Sequence, residues 1–177
     1  MAVQGLAAAI QRVEAVLRRR PEAGVSDDAP ATARWGGGTR VISRHDSGAE
    51  VVTDMPAEIG GSGDQVTPGW LLRAALASCA VTRIAMAAAC DGIVLSTLEA
   101  QARSRSDARG LLGIADADGT PVSAGPSDVE LTVRIGAQGI SAERLQALVE
   151  QSGRCAPVTS AMRTAVPVTL RIEVERA

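Results

Sequence analysis

No phenylalanine and no tyrosine occur in this chain of 177 residues, so its only aromatic rings are those of Trp35 and Trp70. A core must therefore be filled by Leu, Val, Ile, Met and Ala, and any aromatic role at a site falls to two indoles. Lysine is missing as well; all eighteen basic residues are arginines, which excludes Schiff-base catalysis by a lysine. Histidine occurs once, as His45 in the polar stretch Arg44-His-Asp46, where it reads as a solvated turn residue. With one histidine and three scattered cysteines, no zinc-ligand spacing arises. Neither sign of charge is in excess: a net charge of -2 with interspersed signs offers no electrostatic footprint for nucleic acid or an anionic membrane. Long uninterrupted apolar runs are absent, because Arg73 and Arg83 break the best candidate before it reaches the roughly 18 residues of a spanning helix. Residues 1–20 have no basic residue ahead of their apolar stretch, and Arg18, Arg19 and Arg20 follow it, so the segment reads as a mature amphipathic helix. The glycine clusters Gly36-Gly-Gly38 and Gly60-Gly-Ser-Gly63 lack a phosphate-loop lysine and read as turns. An odd number of cysteines without framework spacing fits a reducing cytoplasm better than a secreted scaffold.

The pattern of what is present suggests three parts: an amphipathic helix over residues 1–20, a polar linker over 21–30, and one α+β domain over 31–177. Leu6, Ile10, Val13, Val16 and Leu17 recur at helical spacing, and Arg20-Pro21 ends that helix. Three short strands at Ala31–Trp35, Thr39–Arg44 and Glu50–Thr53 are separated by glycine-bearing turns and predict an antiparallel meander. Thr67 as N-cap and Pro68 at the first helical position open a long helix that nothing interrupts before Cys90 and that Asp91-Gly92 closes. Its apolar circumference predicts a buried spine. Val94, Ser96, Leu98, Ala100 and Ala102 alternate with a mostly polar set, and Val129 to Ile135 repeats the alternation, giving two half-buried strands around a polar hairpin tip at 107–127. Ser141 caps a further helix to Gln151, a short helix is expected over Cys155–Met162, and Val168–Val174 alternates as a last strand. Antiparallel sheets wrapped around a central helix account for this order. A spine so apolar is hard to cover with flanking strands alone, which suggests an intertwined homodimer burying two such helices back to back.

Chemistry centres on the cysteines. Cys79 lies in Leu71-Leu-Arg-Ala-Ala-Leu-Ala-Ser-Cys79 on the long helix, and Cys155 in Arg154-Cys-Ala-Pro-Val-Thr159. Cys90 ends the same helix about 16 Å beyond Cys79, out of bonding reach, and reads as an inert core thiol. A thiol buried on an apolar helix needs a cation beside it to act as a thiolate. Arg83, one turn after Cys79 and on the stripe of Leu72, Leu76 and Met86, could supply one directly. Trp35 and Trp70 could line a substrate mouth, with Leu72, Leu76 and Met86 as further pocket residues.

The Gly-rich approach, the Thr-Pro helix start, the Leu-Leu-x-Ala-Ala-Leu-Ala-Ser-Cys helix and the Cys-x-Pro-Val-Thr segment together resemble the OsmC/Ohr family of osmotically inducible and organic hydroperoxide resistance proteins, over roughly residues 31–175. The resemblance implies the OsmC-like fold as a tightly intertwined homodimer. It further implies a thiol peroxidase acting on organic hydroperoxides or hydrogen peroxide without metal or flavin, reduced by a dithiol or, in some members, a lipoylated protein. It places the peroxide-attacking cysteine at Cys79 and the resolving one at Cys155, with a disulfide between them on oxidation. The family's arginine, drawn from the strand region after a Gly-rich turn, is best matched by Arg40 in Gly36-Gly-Gly-Thr-Arg40, with Arg34 a weaker match. One departure stands out: family peroxidases carry a Glu after the proline that opens the central helix, and here Pro68 is followed by Gly69. Glu58 and Asp64 are the nearest replacements in sequence for that carboxylate. Its loss leaves two alternatives beside the peroxidase: a dimeric module of this fold binding a small ligand or lipid, and a thiol redox sensor with little turnover.

Overall fold

The computed structural model describes residues 3–175. Helix α1 (Val3–Arg19) leads through a short 3₁₀ turn to a three-stranded antiparallel sheet of β1 (Thr32–Trp35), β2 (Val41–Arg44) and β3 (Glu50–Thr53), in the order β1-β2-β3. The long helix α2 (Pro68–Cys90) follows, then a two-stranded antiparallel ribbon of β4 (Leu95–Arg105) and β5 (Ser127–Ala137), with the single-turn helix α3 (Ala108–Leu111) at its tip. Helices α4 (Ala142–Arg154) and α5 (Pro157–Thr164) complete the described elements.

Local chemistry explains the boundaries. Thr67 caps α2, its hydroxyl accepting from the Trp70 N–H at 3.2 Å, and Pro68 occupies the first helical position. At the other end Gly92 adopts a left-handed φ of 68°, and Ile93 N–H returns to the Ala88 carbonyl at 2.8 Å, folding Ile93 back onto the helix. Ser141 caps α4 by accepting from Arg144 N–H. The core forms where Ile84, Ala88, Ile93, Leu145 and Leu148 meet, flanked by Leu98, Val133 and Ile135 from the ribbon.

Four expectations need correction. First, α2 is not enclosed in the single chain: Leu76, Ala80, Ile84 and Ala88, spaced four apart, are buried with Ala89, but Trp70 and Leu72 remain exposed. By length and composition alone α2 could cross a membrane, yet here its buried stripe packs against β4, α4 and α5. The three-stranded sheet packs mainly strand on strand and does not wrap α2, while α1 does lie against it. Second, Cys90 is exposed rather than a core thiol, because α2 ends there and Ile93 takes the core position instead. Third, the inward set of β4 begins with Leu95 rather than Val94 and Ser96, since a register shift between Leu95 and Thr97 turns the strand by one residue. Fourth, Val168–Val174 forms no ladder among the described residues; it runs unpaired, with its alternating apolar side chains in solvent. The hairpin tip at 107–127 likewise contains the short helix α3, capped by Asp107.

Candidate thiol site and the arginine cluster

All three thiols are free. Cys79 sits half-buried in the middle of α2, and Cys155 is exposed at the junction of two helices. Cys155 is the C-cap of α4, its N–H bonding the Ser152 carbonyl at 3.1 Å, and Ala156 is the N-cap of α5. It therefore sits just outside the α5 N-terminus rather than within it.

The two cysteine-bearing regions face a common cavity. Helices α4 and α5 both pack against α2. Between them and β5 lies a cavity of about 460 Å³, lined on one side by Leu76 and Ala80, which bracket Cys79, and on the other by Gly153 and Thr159, which bracket Cys155. Of the five expected pocket residues only Leu76 lines it. Trp35 is at the end of β1, exposed, with its indole N–H donating to the Gly38 carbonyl at 2.9 Å. Trp70 and Leu72 are on the exposed side of α2, and Met86 falls about 80° around the helix from Leu76. Two hydroxyls near the cavity, those of Ser152 and Thr159, are shielded from solvent and have no hydrogen-bond partner among the described residues. Such a group costs about 1–3 kcal/mol relative to a satisfied one.

Arg40 is displayed by the glycine turn predicted for it. Gly36 N–H bonds the Arg40 carbonyl at 2.8 Å, Arg40 N–H bonds the Gly37 carbonyl at 3.0 Å, and Gly37 and Gly38 take positive φ values that a side chain would resist. Its guanidinium donates to Asp54 Oδ2 at 3.2 Å, to Ser62 Oγ at 2.7 Å, and to Asp64 Oδ1. Asp64 is thus the sequence-proposed carboxylate that reaches this arginine. Asp54, which sequence reasoning did not single out, is the hub of the cluster. It is almost wholly buried and accepts from the Thr39 hydroxyl at 2.5 Å, the Ser62 hydroxyl at 2.6 Å, and the N–H groups of Met55 and Ser62 at 2.8 and 3.2 Å. Nothing in the local sequence announces this, because the partners lie up to fifteen residues away. Gly61 is required nearby: a Cβ there would stand 1.7 Å from the Met55 carbonyl oxygen. Arg83, half-buried one turn beyond Cys79, forms no ion pair among the described residues.

Hydrogen bonds from Ser62 and Thr39 hold the Asp54 carboxyl well below the usual carboxylate range, and Ser62 and then Arg40 lower that of Asp64. Because the folded-state values are depressed, the stability they contribute is fully present above the unfolded value of about 4 and is lost as pH falls through the folded values. The variant Asp54→Asn is accordingly expected to unfold at a lower temperature at pH 7 and to show a flatter loss of stability between about pH 4 and 2 than the parent, measured by thermal melts across that range. An unchanged acid profile would show that the buried carboxylate is not what couples the loop to β2.

The helix-and-ribbon core, the capped α2 and the packing of α4 and α5 against it define an OsmC-like domain. A family model of OsmC-like proteins matches residues 61–171, and the chain belongs to that family. Solved structures agree on the fold. A putative osmotic stress induced and detoxification response protein from Psychrobacter arcticus superposes with a TM-score of 0.60 at 22% identity, covering 78% of this chain and 90% of its own. An OsmC like protein from Mycoplasma pneumoniae gives 0.64 at 14% identity, over 78% and 89%. An organic hydroperoxide resistance protein from Legionella pneumophila gives 0.57 at 19% identity, over 78% and 91%. No curated protein sequence matches this chain. Helix α1 and the three-stranded sheet lie ahead of the family match.

Proposed function

We propose that this protein is a cysteine-based peroxidase reducing organic hydroperoxides or hydrogen peroxide in oxidative stress defence, acting as a homodimer in the cytoplasm. The observation that supports it most is that the α2 residues bracketing Cys79 and the α4–α5 residues bracketing Cys155 line one cavity. The Cys79 thiolate attacks the distal peroxide oxygen; the O–O bond breaks, sulfur is oxidised to a sulfenic acid, and an alcohol or water leaves with the proton. The Cys155 thiol then displaces hydroxide from that sulfur, giving the Cys79–Cys155 disulfide and water, and an external dithiol, free or lipoylated on a partner protein, restores both thiols by exchange. Arg40, which does not line this cavity within one chain, orients the peroxide from a second copy, with Asp64 in the part of the carboxylate that Gly69 lacks and Asp54 fixing the pair; Arg83 stabilises the thiolate directly. Cys90 takes no part.

Separate substitutions distinguish the two arginines. Arg83→Met is expected to lower the alkylation rate of Cys79 at pH 7 by about tenfold, since it removes the neighbouring positive charge. Arg40→Met leaves alkylation nearly intact but raises the KM for an organic hydroperoxide in a dithiol-coupled assay. Both variants matching the parent in both assays would remove the arginines from the reaction. Dithiol-dependent turnover of cumene hydroperoxide tests the proposal as a whole: its absence, with thiols that still form the disulfide, would favour a redox sensor.

A further inference from the structure

The near-neutral charge of the whole chain conceals a separation of signs between α1 and the rest. Residues 1–20 carry four arginines, Arg12, Arg18, Arg19 and Arg20, against the single acidic residue Glu14. Of the chain's 18 basic and 20 acidic residues this leaves 14 and 19 for the remainder, so a segment of net charge +3 is attached to a body of net charge -5. Around the helix axis Leu6, Ile10, Val13 and Leu17 fall within about 60° of one another, and Arg12, Arg18 and Arg19 project more than about 100° from that direction. All three arginines are exposed. Arg18 meets only Glu14 of its own helix, at 4.0 Å, and Arg19 donates to the Ala15 carbonyl at 3.0 Å, so neither is held by the domain. Helix α1 packs against α2, but the contact leaves its apolar stripe open at the centre: Leu6, Ile10 and Leu17 are half-buried, whereas Val13 between them is 57% exposed. Residues 25–31, which join the 3₁₀ turn to β1, have no regular structure and are exposed throughout. Extended, such a segment spans up to about 23 Å.

We propose that α1 is an amphipathic anchor that docks this protein on an anionic lipid bilayer. The stripe of Leu6, Ile10, Val13 and Leu17 lies at the boundary of headgroups and acyl chains, and the arginines of the opposite face sit among the anionic headgroups. Charge selects the surface: a helix of net positive charge is drawn to anionic lipid, while the acidic body is kept off it. The apolar stripe separates a bilayer from other polyanions, because nucleic acid matches the arginines but gives Val13 and its neighbours nothing to enter. Arginine suits both environments, since its stem covers apolar surface while the guanidinium stays in water. Half-burial on α2 is a weak hold, and the linker over 25–31 lets α1 turn its stripe toward lipid with the domain still tethered. The anchor involves none of the three cysteines, so it stands apart from the thiol chemistry proposed above.

Cosedimentation of the reduced full-length protein with unilamellar vesicles tests this directly. Vesicles of phosphatidylglycerol and phosphatidylcholine in equal parts are expected to bind it at least about 30-fold more tightly than phosphatidylcholine alone, at about fivefold for each arginine near the surface. Raising the salt from about 0.1 M to about 0.5 M weakens that binding by screening. The double variant Arg18→Gln/Arg19→Gln lowers affinity for the anionic vesicles about 25-fold, and Val13→Asp about tenfold or more. The three substituted side chains are exposed, so the fold is kept, which far-ultraviolet circular dichroism verifies. The proposal is overturned if the folded protein stays in the supernatant with anionic vesicles, if it binds phosphatidylcholine as tightly, or if either variant binds like the parent. A DNA duplex bound as tightly as the anionic vesicles would equally overturn it, reducing α1 to a patch for polyanions. Sedimentation velocity without lipid supplies the last check: a parent that self-associates and a Val13→Asp variant that does not would assign the stripe to a second copy instead. A failure of peroxide turnover leaves every one of these outcomes unaffected.

Discussion

Serine in place of Cys79 is expected to slow consumption of an organic hydroperoxide by the reduced protein by about 10³-fold or more. The reason is chemical: the nucleophile is a thiolate, and a serine hydroxyl at neutral pH is both poorly ionised and a weak nucleophile toward a peroxide oxygen. Cys155→Ser behaves differently. One equivalent of peroxide is consumed at the parental rate, Cys79 stops at the sulfenic acid, and turnover ends there or passes on to overoxidised sulfur. Cys90→Ser leaves both phases unchanged, although Cys90 is more exposed than Cys79. Rapid-quench measurement of residual peroxide separates the three variants. Cys79→Ser retaining parental consumption would move the chemistry to another thiol.

Removal of residues 166–177 is expected to weaken self-association by at least about 100-fold, or roughly 3 kcal/mol. Val166, Val168, Leu170, Ile172 and Val174 alternate along this segment and are 60, 93, 80, 75 and 83% exposed. A period of two with one apolar face specifies a strand, and a strand forms only where an edge can pair with it. Such a stripe left in water marks an interaction surface. Trp70 and Leu72 on the uncovered side of α2 extend the apolar surface that a single chain leaves open, and a second copy of the chain is the partner proposed for both. Sedimentation velocity across a concentration series measures the effect, with circular dichroism confirming that the truncated chain keeps its helices. A truncated protein that dimerises as tightly as the parent would place the interface elsewhere.

Much of the architecture was legible because it depends on neighbours in sequence. The cap at Thr67, the proline at position 68, the Asp91-Gly92 stop and the Ser141 cap are short-range devices, and each stands where the residues indicated. The three-stranded meander matched for the same reason, its registers set by glycine turns. What was illegible depends on distant contacts. The outward turn of Val94 follows from a bulge whose cause is the pairing with β5. Exposure of Cys90 follows from the way Ile93 folds back beneath α2. Burial of all of α2 and pairing of 168–174 do not occur among the described residues, and both are left to the proposed second copy. At the site, the glycine turn announced Arg40, but the convergence of Thr39, Ser62 and Asp64 on Asp54 and Arg40 is tertiary.

The most direct measurement is peptide mapping by mass spectrometry of the reduced protein after one equivalent of cumene hydroperoxide, with free thiols alkylated. A peroxidase built on Cys79 and Cys155 yields a single cross-linked peptide pair joining those two residues, two hydrogens lighter than the reduced pair, with Cys90 fully alkylated. Three alkylated cysteines, or a bridge that includes Cys90, would contradict it.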